Sequence, residues 1–382
     1  MRPLADPRDP PHLGGSDQRE YKGPVGVPME ATAPSIGDFD RFVFVVGAPR
    51  CGTTTLAGFL KSNRAVRSPI VKEPHYFAQN DLSNLDDASL RARVEDEYLR
   101  RFFQYAPARR IGLDASVTYL YTPEQLEPVL RLWPDSRFVV ALRNPLTMLP
   151  SLHARLLYIG DETIKRFDEA WDAIPDRRAG RRIPGRCADP RWLFYDEAAR
   201  FSTYLERLFA VVGRHRCSVV LFDDLASNPA REYRRLMDFA GLEPELGIDL
   251  KARRSSYAVR SHWLQRILKR PPGAVRELLA GEQFYERFRD LHDKRNRRVS
   301  GGILRLRKRV LQWNRYPQPA DALSLRMHDA ICRSFGSEID RLSALIGRDL
   351  THWLKPANWN VGMEKGGSTR GANRAAFASE LR

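Results

Sequence analysis

A glycine-bounded turn near residue 50 contains an arginine and is followed by three consecutive threonines. The run is Gly47-Ala-Pro-Arg-Cys-Gly-Thr-Thr-Thr55, in which Arg50 supplies a cation. A short apolar run ends at Val46 and residues 53–62 suit a helix, so the turn would expose main-chain N–H groups beside a helix N-terminus. Phosphate is the expected ligand, and a plain strand-to-helix turn would explain the glycines but not the arginine and threonines. The candidate phosphate-binding residues are Arg50, Cys51, Gly52, Thr53, Thr54 and Thr55.

A nucleotide triphosphatase or kinase is the obvious competitor. Its P-loop reads G-x-x-x-x-G-K-[ST], with the lysine on the β- and γ-phosphates and the hydroxyl on Mg²⁺. Gly47 and Gly52 have that spacing, but Thr53 stands where the lysine should be, and the cation lies three places earlier. Asp223 and Asp224 follow an apolar run and could hold a metal ion, although aspartates there are commonly loop or cap residues. A P-loop kinase is therefore kept as the alternative.

A second anion site is predicted at Arg143 and Ser151. Arg143 ends the apolar run 137–142, and its planar guanidinium can hold phosphate with two hydrogen bonds. Asn144-Pro145 would stop the strand and start a helix, which would bring the hydroxyl of Ser151 to the same phosphate. A surface arginine and a solvated serine are the simpler alternative.

Apolar runs that alternate with helical patterns predict the elements that position these residues. Strands are expected at 41–46, 137–142 and 217–222, with shorter ones at Ile70-Val71 and 111–113. Helices are expected with ends at Gly213, Gly241 and Gly347. The predicted fold class is α/β, a P-loop-type three-layer fold with a central, mainly parallel sheet flanked by helices. We expect an N-terminal disordered arm at 1–38, a single domain at 39–355 and a flexible tail at 356–382.

The chain of 382 residues carries a formal net charge of +16, which suits an anionic partner. A nucleic-acid-binding protein is one hypothesis, but the basic runs contain few aromatic residues and no known binding motif, so no specific nucleic acid is expected. The four cysteines have no metal-ligand spacing, and no metal is expected. No apolar run has the length of a membrane span or a signal peptide. We therefore expect a cytoplasmic protein.

Several blocks, in order, resemble sulfotransferases that use 3′-phosphoadenosine 5′-phosphosulfate (PAPS), of the bacterial and glycosaminoglycan types. The first phosphate loop is similar to their 5′-phosphosulfate motif, and Arg143 with Ser151 resembles their 3′-phosphate motif. The remaining similar blocks are Lys72-Glu-Pro-His-Tyr-Phe77, Gly112-Leu-Asp-Ala-Ser-Val-Thr-Tyr119 and Gly347-Arg-Asp-Leu-Thr-His-Trp353.

The resemblance implies metal-independent transfer of a sulfuryl group from PAPS to an acceptor hydroxyl or amine. Arg50 would stabilise charge on the leaving group, with Lys72 as a possible helper. Glu73 would be the general base, and desolvation beside Pro74 and Tyr76 suggests a raised pKa.

Three alternatives to this assignment stay open. His75 or Asp114 could be the base instead of Glu73. Glu73 could also simply pair with Lys72 or Arg50. A catalytically dead PAPS binder is possible as well. The acceptor is expected to be a small molecule or glycan, such as a sugar, glycolipid or other metabolite, and it could be anionic.

Overall fold

The computed structural model describes residues 33–103, 110–185, 187–248, 250, 257–269, 297–317 and 323–354. The predicted tail 356–382, most of the predicted arm 1–38 and the basic stretch 251–254 lie outside the described residues. Residues 33–38 belong to the predicted arm, and the structure places a short 3₁₀ helix there, with Ile36 buried.

Five parallel strands form the central sheet, in the order β2-β3-β1-β4-β5. They are β1 Arg41–Gly47, β2 Val66–Arg67, β3 Ile111–Asp114, β4 Arg137–Leu142 and β5 Cys217–Leu221. A separate antiparallel pair consists of β6 Tyr257–Val259 and β7 Arg315–Pro317. The parallel sheet and its flanking helices confirm the predicted α/β fold class.

Helices of varied length connect and cover these strands. They are α1 Thr53–Ser62, α2 Tyr76–Gln79, α3 Asp87–Val94, α4 Arg100–Phe102, α5 Glu127–Leu132, α6 Pro145–Ile159, α7 Phe167–Asp172, α8 Ile174–Arg178, α9 Tyr195–Ala198, α10 Phe201–Val212, α11 Phe222–Ser227, α12 Pro229–Ala240, α13 His262–Lys269, α14 Arg297–Asn314 and α15 Leu325–Ile346. Among the described helices, none is long and apolar enough to cross a membrane.

The strand β1 lies at the centre of the sheet and is apolar on both faces. Phe42 and Phe44 are fully buried, and the Phe44 ring stacks on Phe138 of β4 with 5.5 Å between centroids. Gly112 of β3 has no side chain because a Cβ there would lie 2.3 Å from the Phe42 ring. Burial on both faces explains why these strands have continuous apolar sequences.

All three predicted helix ends, at Gly213, Gly241 and Gly347, are confirmed. Asn228 accepts a hydrogen bond from the Arg231 N–H at the start of α12, and Gly241 ends that helix with a positive φ. Gly213 follows α10, and Gly347 ends α15. These residues stop helices because an αL or otherwise strained backbone suits glycine.

The predicted strand at Ile70-Val71 is wrong, since β2 lies at Val66–Arg67. Pro69 offers no N–H to a strand ladder, and the Ile70 N–H donates to the carbonyl of Phe102 instead of to β3 (2.8 Å). The two-residue β2 was too short to be recognised from its composition.

The carboxyl ends of the parallel strands meet at one edge of the sheet. The chain runs from β1 outward to β2, returns to β3, and then crosses β1 to form β4 on its other side. Open α/β sheets bind ligands at the carboxyl ends of the strands, where the strand order reverses. The predicted site segments all follow carboxyl ends: Arg50 after β1, Glu73 after β2, Ser116 after β3 and Arg143 after β4.

Candidate active site

The loop after β1 has a backbone that few residue types allow. Arg50 and His75 are two of the three non-glycine residues with positive φ in the described part of the chain, at 65° and 55°. Gly52 has φ 95° immediately before α1, and a Cβ there would lie 2.9 Å from Leu225. In residues other than glycine, such as Arg50 and His75, a left-handed backbone costs about 1 kcal/mol or more, and such residues concentrate at functional sites.

The side chain of Arg50 contacts the predicted second anion site. Its Nε donates to Ser151 Oγ over 2.9 Å, and its main-chain carbonyl accepts a hydrogen bond from Arg143 Nη1 over 3.2 Å. Arg143 Nε also donates to Thr147 Oγ1, and its guanidinium lies 4.4 Å above the centroid of the Phe222 ring. The two predicted anion sites are therefore neighbours joined through Arg50.

The charges of two further arginines, Arg143 and Arg155, act on Arg50. Burial, followed by the charges of Arg155 and Arg143, lowers the pKa of Arg50 from its ordinary value. Arg155 lies on α6, one helical turn after Ser151, with its guanidinium 5.5 Å from the centroid of the Tyr158 ring. Mutually repelling cations are stabilised when an anion binds between them, so this cluster fits a polyanionic ligand.

The threonines of α1 differ in exposure. Thr53 and Thr55 are buried, whereas Thr54 is exposed. The N–H groups of Thr53 and Thr54 lie in the first turn of α1, where helix geometry provides no intrahelical acceptor. Thr53 occupies the place of the P-loop lysine, so the loop lacks the residue with which kinases hold the β- and γ-phosphates.

Cys51 is buried behind the loop. Its thiol lies 3.4 Å from the Pro49 carbonyl, and burial raises its pKa to about 12. The thiol is therefore protonated at neutral pH, and only the main chain of Cys51 can contribute to anion binding.

Glu73 is held between two cationic or protonatable partners. Lys72 Nζ forms an ion pair with Glu73 Oε1, and His75 Nε2 lies 3.5 Å from Oε2. The Glu73 side chain is 30 % exposed, so a ligand can reach the carboxylate. Of the two simple pairings considered for Glu73, the structure contains the one with Lys72.

The expectation of a raised Glu73 pKa is wrong. Burial does raise it, but the hydrogen bond from His75 and the charge of Lys72 outweigh burial and lower the pKa to about 2. Glu73 is consequently ionised throughout the physiological range. Pro74 and Tyr76 predicted the desolvation correctly, but the hydrogen bond from His75 and the charge of Lys72 decide the sign of the shift.

Hydrogen bonds to the segment after β3 orient His75. Its Nδ1 is 2.9 Å from Thr118 Oγ1, and its main-chain N–H donates to Ser116 Oγ over 2.8 Å. Ser116 Oγ in turn donates to Asp114, which is fully buried. Two ends of the imidazole are thus fixed, one by Glu73 and one by Thr118.

Asp114, a predicted rival base, lies inside the protein. Tyr98 and Tyr119 donate their hydroxyls to its carboxylate, each over 2.9 Å, in addition to Ser116. Burial raises the pKa of Asp114. With no exposed surface, Asp114 supports the Ser116 and His75 backbone instead of facing a ligand.

The two aspartates after β5 are engaged elsewhere. Asp224 pairs with Arg348 and with Arg231, and Asp223 accepts a hydrogen bond from the indole of Trp353 over 2.7 Å. These bonds tie the segment after α15 to the strand ends. Within the described ranges, no group of three or more His, Cys, Asp or Glu residues could hold a metal ion. The metal interpretation of this strand end is not supported.

Arg155 and Thr118 were missed as site residues in the sequence. Arg155 stands four residues after Ser151 on α6, so helical periodicity places both on one face. Thr118 stands two residues after Ser116 in a hydroxyl-rich run. His153, between Ser151 and Arg155, faces another direction: its Nε2 is 2.9 Å from the Ile164 carbonyl, and it is buried.

Comparison with known proteins agrees with this geometry. The family model described as "Sulfotransferase family" matches residues 43–245, more than half of the chain. The mouse heparan sulfate glucosamine 3-O-sulfotransferase 6 is 26% identical over 248 residues, which cover 63% of this chain and 62% of the mouse protein. The human protein of the same name is 26% identical over 225 residues, covering 58% of this chain and 57% of its own length.

The chain thus spans less than two thirds of the length of these curated relatives. A solved sulfotransferase from Alicyclobacillus acidocaldarius has the same fold, with a TM-score of 0.53 and 22% identity, over 82% of this chain and 98% of that one. The family match includes the phosphate loop, the Glu73 block, the Asp114 network and the Arg143 and Ser151 pair. This chain belongs to the sulfotransferase family.

Proposed function

We propose that this protein transfers the sulfuryl group of PAPS to a hydroxyl group of a glycan. One observation carries the proposal: Arg50, Arg143, Arg155 and Ser151 converge beside the N-terminus of α1, within reach of a polyanion. The donor has phosphosulfate at its 5′ end and phosphate at its 3′ position, and it supplies an activated sulfur bonded to a phosphate leaving group. The residues present fit such a doubly anionic molecule.

Each side chain has a distinct part in binding this donor. The first N–H groups of α1 and the guanidinium of Arg50 would bind the phosphosulfate. Arg143 would hold the 3′-phosphate with two hydrogen bonds. Ser151 accepts the Arg50 hydrogen bond, so its own O–H proton remains available to donate to the same phosphate.

The reaction exchanges one sulfur–oxygen bond for another. The acceptor oxygen forms a new bond to sulfur, the bond from sulfur to the phosphate oxygen breaks, and the acceptor proton must be removed. Arg50 would stabilise the negative charge that grows on the leaving oxygen, and Lys72 would assist it electrostatically. Arginine stays protonated, so Arg50 is given no proton-transfer role.

Glu73 would accept the acceptor proton. Its carboxylate is ionised, partly exposed and held by Lys72 and His75, which makes it the best-placed base among the three candidates. His75 is assigned to orient Glu73 or to bind the acceptor. Glycan is favoured as the acceptor because both curated relatives are named for a heparan sulfate glucosamine acceptor. A cytoplasmic location, transfer without a metal and the absence of a specific nucleic-acid partner stay proposals that rest on the sequence.

Thr118→Val is expected to lower kcat about 10- to 100-fold. Without the Thr118 hydroxyl, His75 would shift, and Glu73, which His75 holds, would lose its alignment with the acceptor. Valine keeps the shape of threonine but removes the oxygen 2.9 Å from His75 Nδ1. The Kd for the donor should hardly change, since Thr118 is not among the residues assigned to donor binding. Thr118→Ser, which keeps the hydroxyl, should retain most activity. Steady-state kinetics with both variants and calorimetric donor titration separate these effects. Equal loss in the serine and valine variants would argue against the hydrogen bond.

Transfer of ³⁵S from labelled PAPS tests the proposed function. The protein is incubated with heparan sulfate, with its desulfated form and with a simple phenol, each with and without EDTA. We expect label in a polysaccharide, in equal amount with EDTA. Parallel incubations with γ-³²P-labelled ATP test the kinase alternative. Transfer of ³²P from ATP to an acceptor in the presence of Mg²⁺ would support a kinase. Label in the phenol alone would refute the glycan acceptor.

A further inference from the structure

The elements around the antiparallel pair of β6 and β7 have an unusual surface. Exposed aromatic and aliphatic side chains lie on α13, α14 and β7: Trp263 is 72% exposed, Leu306 63% and Trp313 62%. Tyr316 adds a partly exposed ring. Together with Arg260 and Arg309, these four residues are called here the aromatic-basic surface. Large apolar side chains exposed side by side mark interaction sites.

Helical spacing puts part of this surface in one stripe. Leu306, Val310 and Trp313 stand at i, i+4 and i+7 on α14, so they lie along one face. Arg309 stands three residues after Leu306 and four before Trp313, which places it beside the stripe. Leu306, Arg309 and Trp313 are exposed, and Val310 is half-buried.

Hydrogen bonds through the buried Asn314 hold this surface in place. The Arg260 N–H donates to the Asn314 carbonyl over 2.8 Å, and the Ser261 N–H donates to Asn314 Oδ1 over 2.9 Å. The guanidinium of Arg260 thereby lies 5.6 Å from the centroid of Trp313 and 5.8 Å from that of Tyr316. The cation and both rings form one cluster.

Asn314 also connects this surface to α6, through Gln265. Asn314 donates to Gln265 Oε1 over 3.1 Å, and Gln265 donates to the Tyr158 carbonyl at the end of α6 over 2.8 Å. Gln265 and Asn314 are both fully buried. The aromatic-basic surface is consequently fixed to the helix that carries Ser151 and Arg155.

The described residues around this surface carry charge of a single sign. Residues 257–269 contain three lysines and arginines, residues 297–317 contain seven, and neither stretch contains an aspartate or glutamate. This excess of cations favours an anionic partner. A phosphate chain alone would need the cations but no apolar stripe, and the aliphatic side chain of Leu306, 63% exposed, gains little contact from a hydrated polyanion.

We propose that the aromatic-basic surface docks the protein on a bilayer that contains anionic phospholipids. Elements that lie in the membrane interface typically combine lysine or arginine with tryptophan, tyrosine and leucine. The rings enter the headgroup region, and the cations contact the lipid phosphates. The proposed docking is interfacial, with the rings in the headgroup region and no part of the surface crossing the bilayer. It does not depend on the proposed sulfuryl transfer.

Sedimentation of the full chain with lipid vesicles tests this docking. Vesicles of equal parts phosphatidylglycerol and phosphatidylcholine should bind the protein at least about tenfold more tightly than phosphatidylcholine alone. Trp313→Ala and Trp263→Ala should each weaken binding about tenfold, through lost apolar contact. Arg309→Glu should weaken it about fivefold or more, through lost attraction to the anionic lipid.

Matched controls change an exposed leucine and an exposed arginine elsewhere. Leu246→Ala and Arg234→Glu should bind vesicles like the wild type, since Leu246 is 98% exposed and Arg234 is exposed on α12. Thermal melts identify any variant that fails to fold, and the two tryptophan variants are independent of each other. Equal binding to both vesicle types would overturn the proposal. So would full binding by both tryptophan variants alongside loss in Arg309→Glu, since that pattern describes a polyanion site.

Discussion

Replacement of Arg50 by alanine is expected to lower kcat about 10³-fold. Arg50 lies at the junction of the phosphate loop and the second anion site, where it contacts Ser151 and Arg143. Its guanidinium is partly desolvated, so its interaction with charge that develops on the leaving oxygen is weakly screened. Donor affinity should fall as well, but less than kcat, because the other cations remain.

Two variants calibrate the Arg50 result. Arg50→Lys keeps the charge but loses the Nε hydrogen bond to Ser151, and it should retain part of the activity. Arg64→Ala removes an arginine whose side chain is 89% exposed and distant from the site, and it should leave kcat unchanged. Rapid-quench kinetics at saturating donor measure the transfer step. Turnover in Arg50→Ala within a few-fold of the wild type would show that another group stabilises the leaving oxygen.

Glu73→Gln should lower kcat about 10²- to 10⁴-fold, the usual range for loss of a general base. Glutamine keeps the shape and most of the polar contacts of glutamate, but it cannot accept the acceptor proton. The Kd for the donor should be nearly unchanged, because the base acts on the acceptor. If Glu73→Gln keeps near-normal turnover, the base must be sought at His75.

The pH profile gives a second test of Glu73. Its pKa of about 2 means that Glu73 is ionised above about pH 4, so its titration should produce no acid limb in kcat between about pH 4 and 8. Lys72 helps to keep the pKa low. Lys72→Met should therefore raise the pKa of Glu73 and move any acid limb toward neutral pH. An acid limb in the wild type that disappears in Glu73→Gln would contradict the depressed pKa.

The strands and the phosphate loop could be predicted because their signals are local. A continuous apolar run, a glycine at a left-handed position and an asparagine-proline pair each determine the backbone over a few residues. Position 52 needs a glycine because its φ is positive and because a Cβ would lie too close to Leu225. In the sequence, this glycine is visible as part of the phosphate-loop motif.

Other features depend on groups that are far apart in the chain. The hydrogen bond from Arg50 to Ser151 joins residues 101 positions apart, and the one between His75 and Thr118 joins residues 43 apart. The sign of the Glu73 pKa shift required the distances to Lys72 and His75 and could not follow from neighbouring apolar residues. Similarly, Ile70 could not be excluded from the sheet without its bond to Phe102.

Calorimetric titration with 3′-phosphoadenosine 5′-phosphate and with AMP tests the central claim most directly. The two ligands differ only in the 3′-phosphate, so their affinity ratio measures the second anion site. With Arg143 and Ser151 binding that phosphate, the bisphosphate should bind about ten- to a hundredfold more tightly than AMP. The Arg143→Ala variant should lose most of the preference for the bisphosphate over AMP, and it should bind AMP with the same affinity as the wild type. Equal affinity of the wild-type protein for the two ligands would contradict a site built for PAPS.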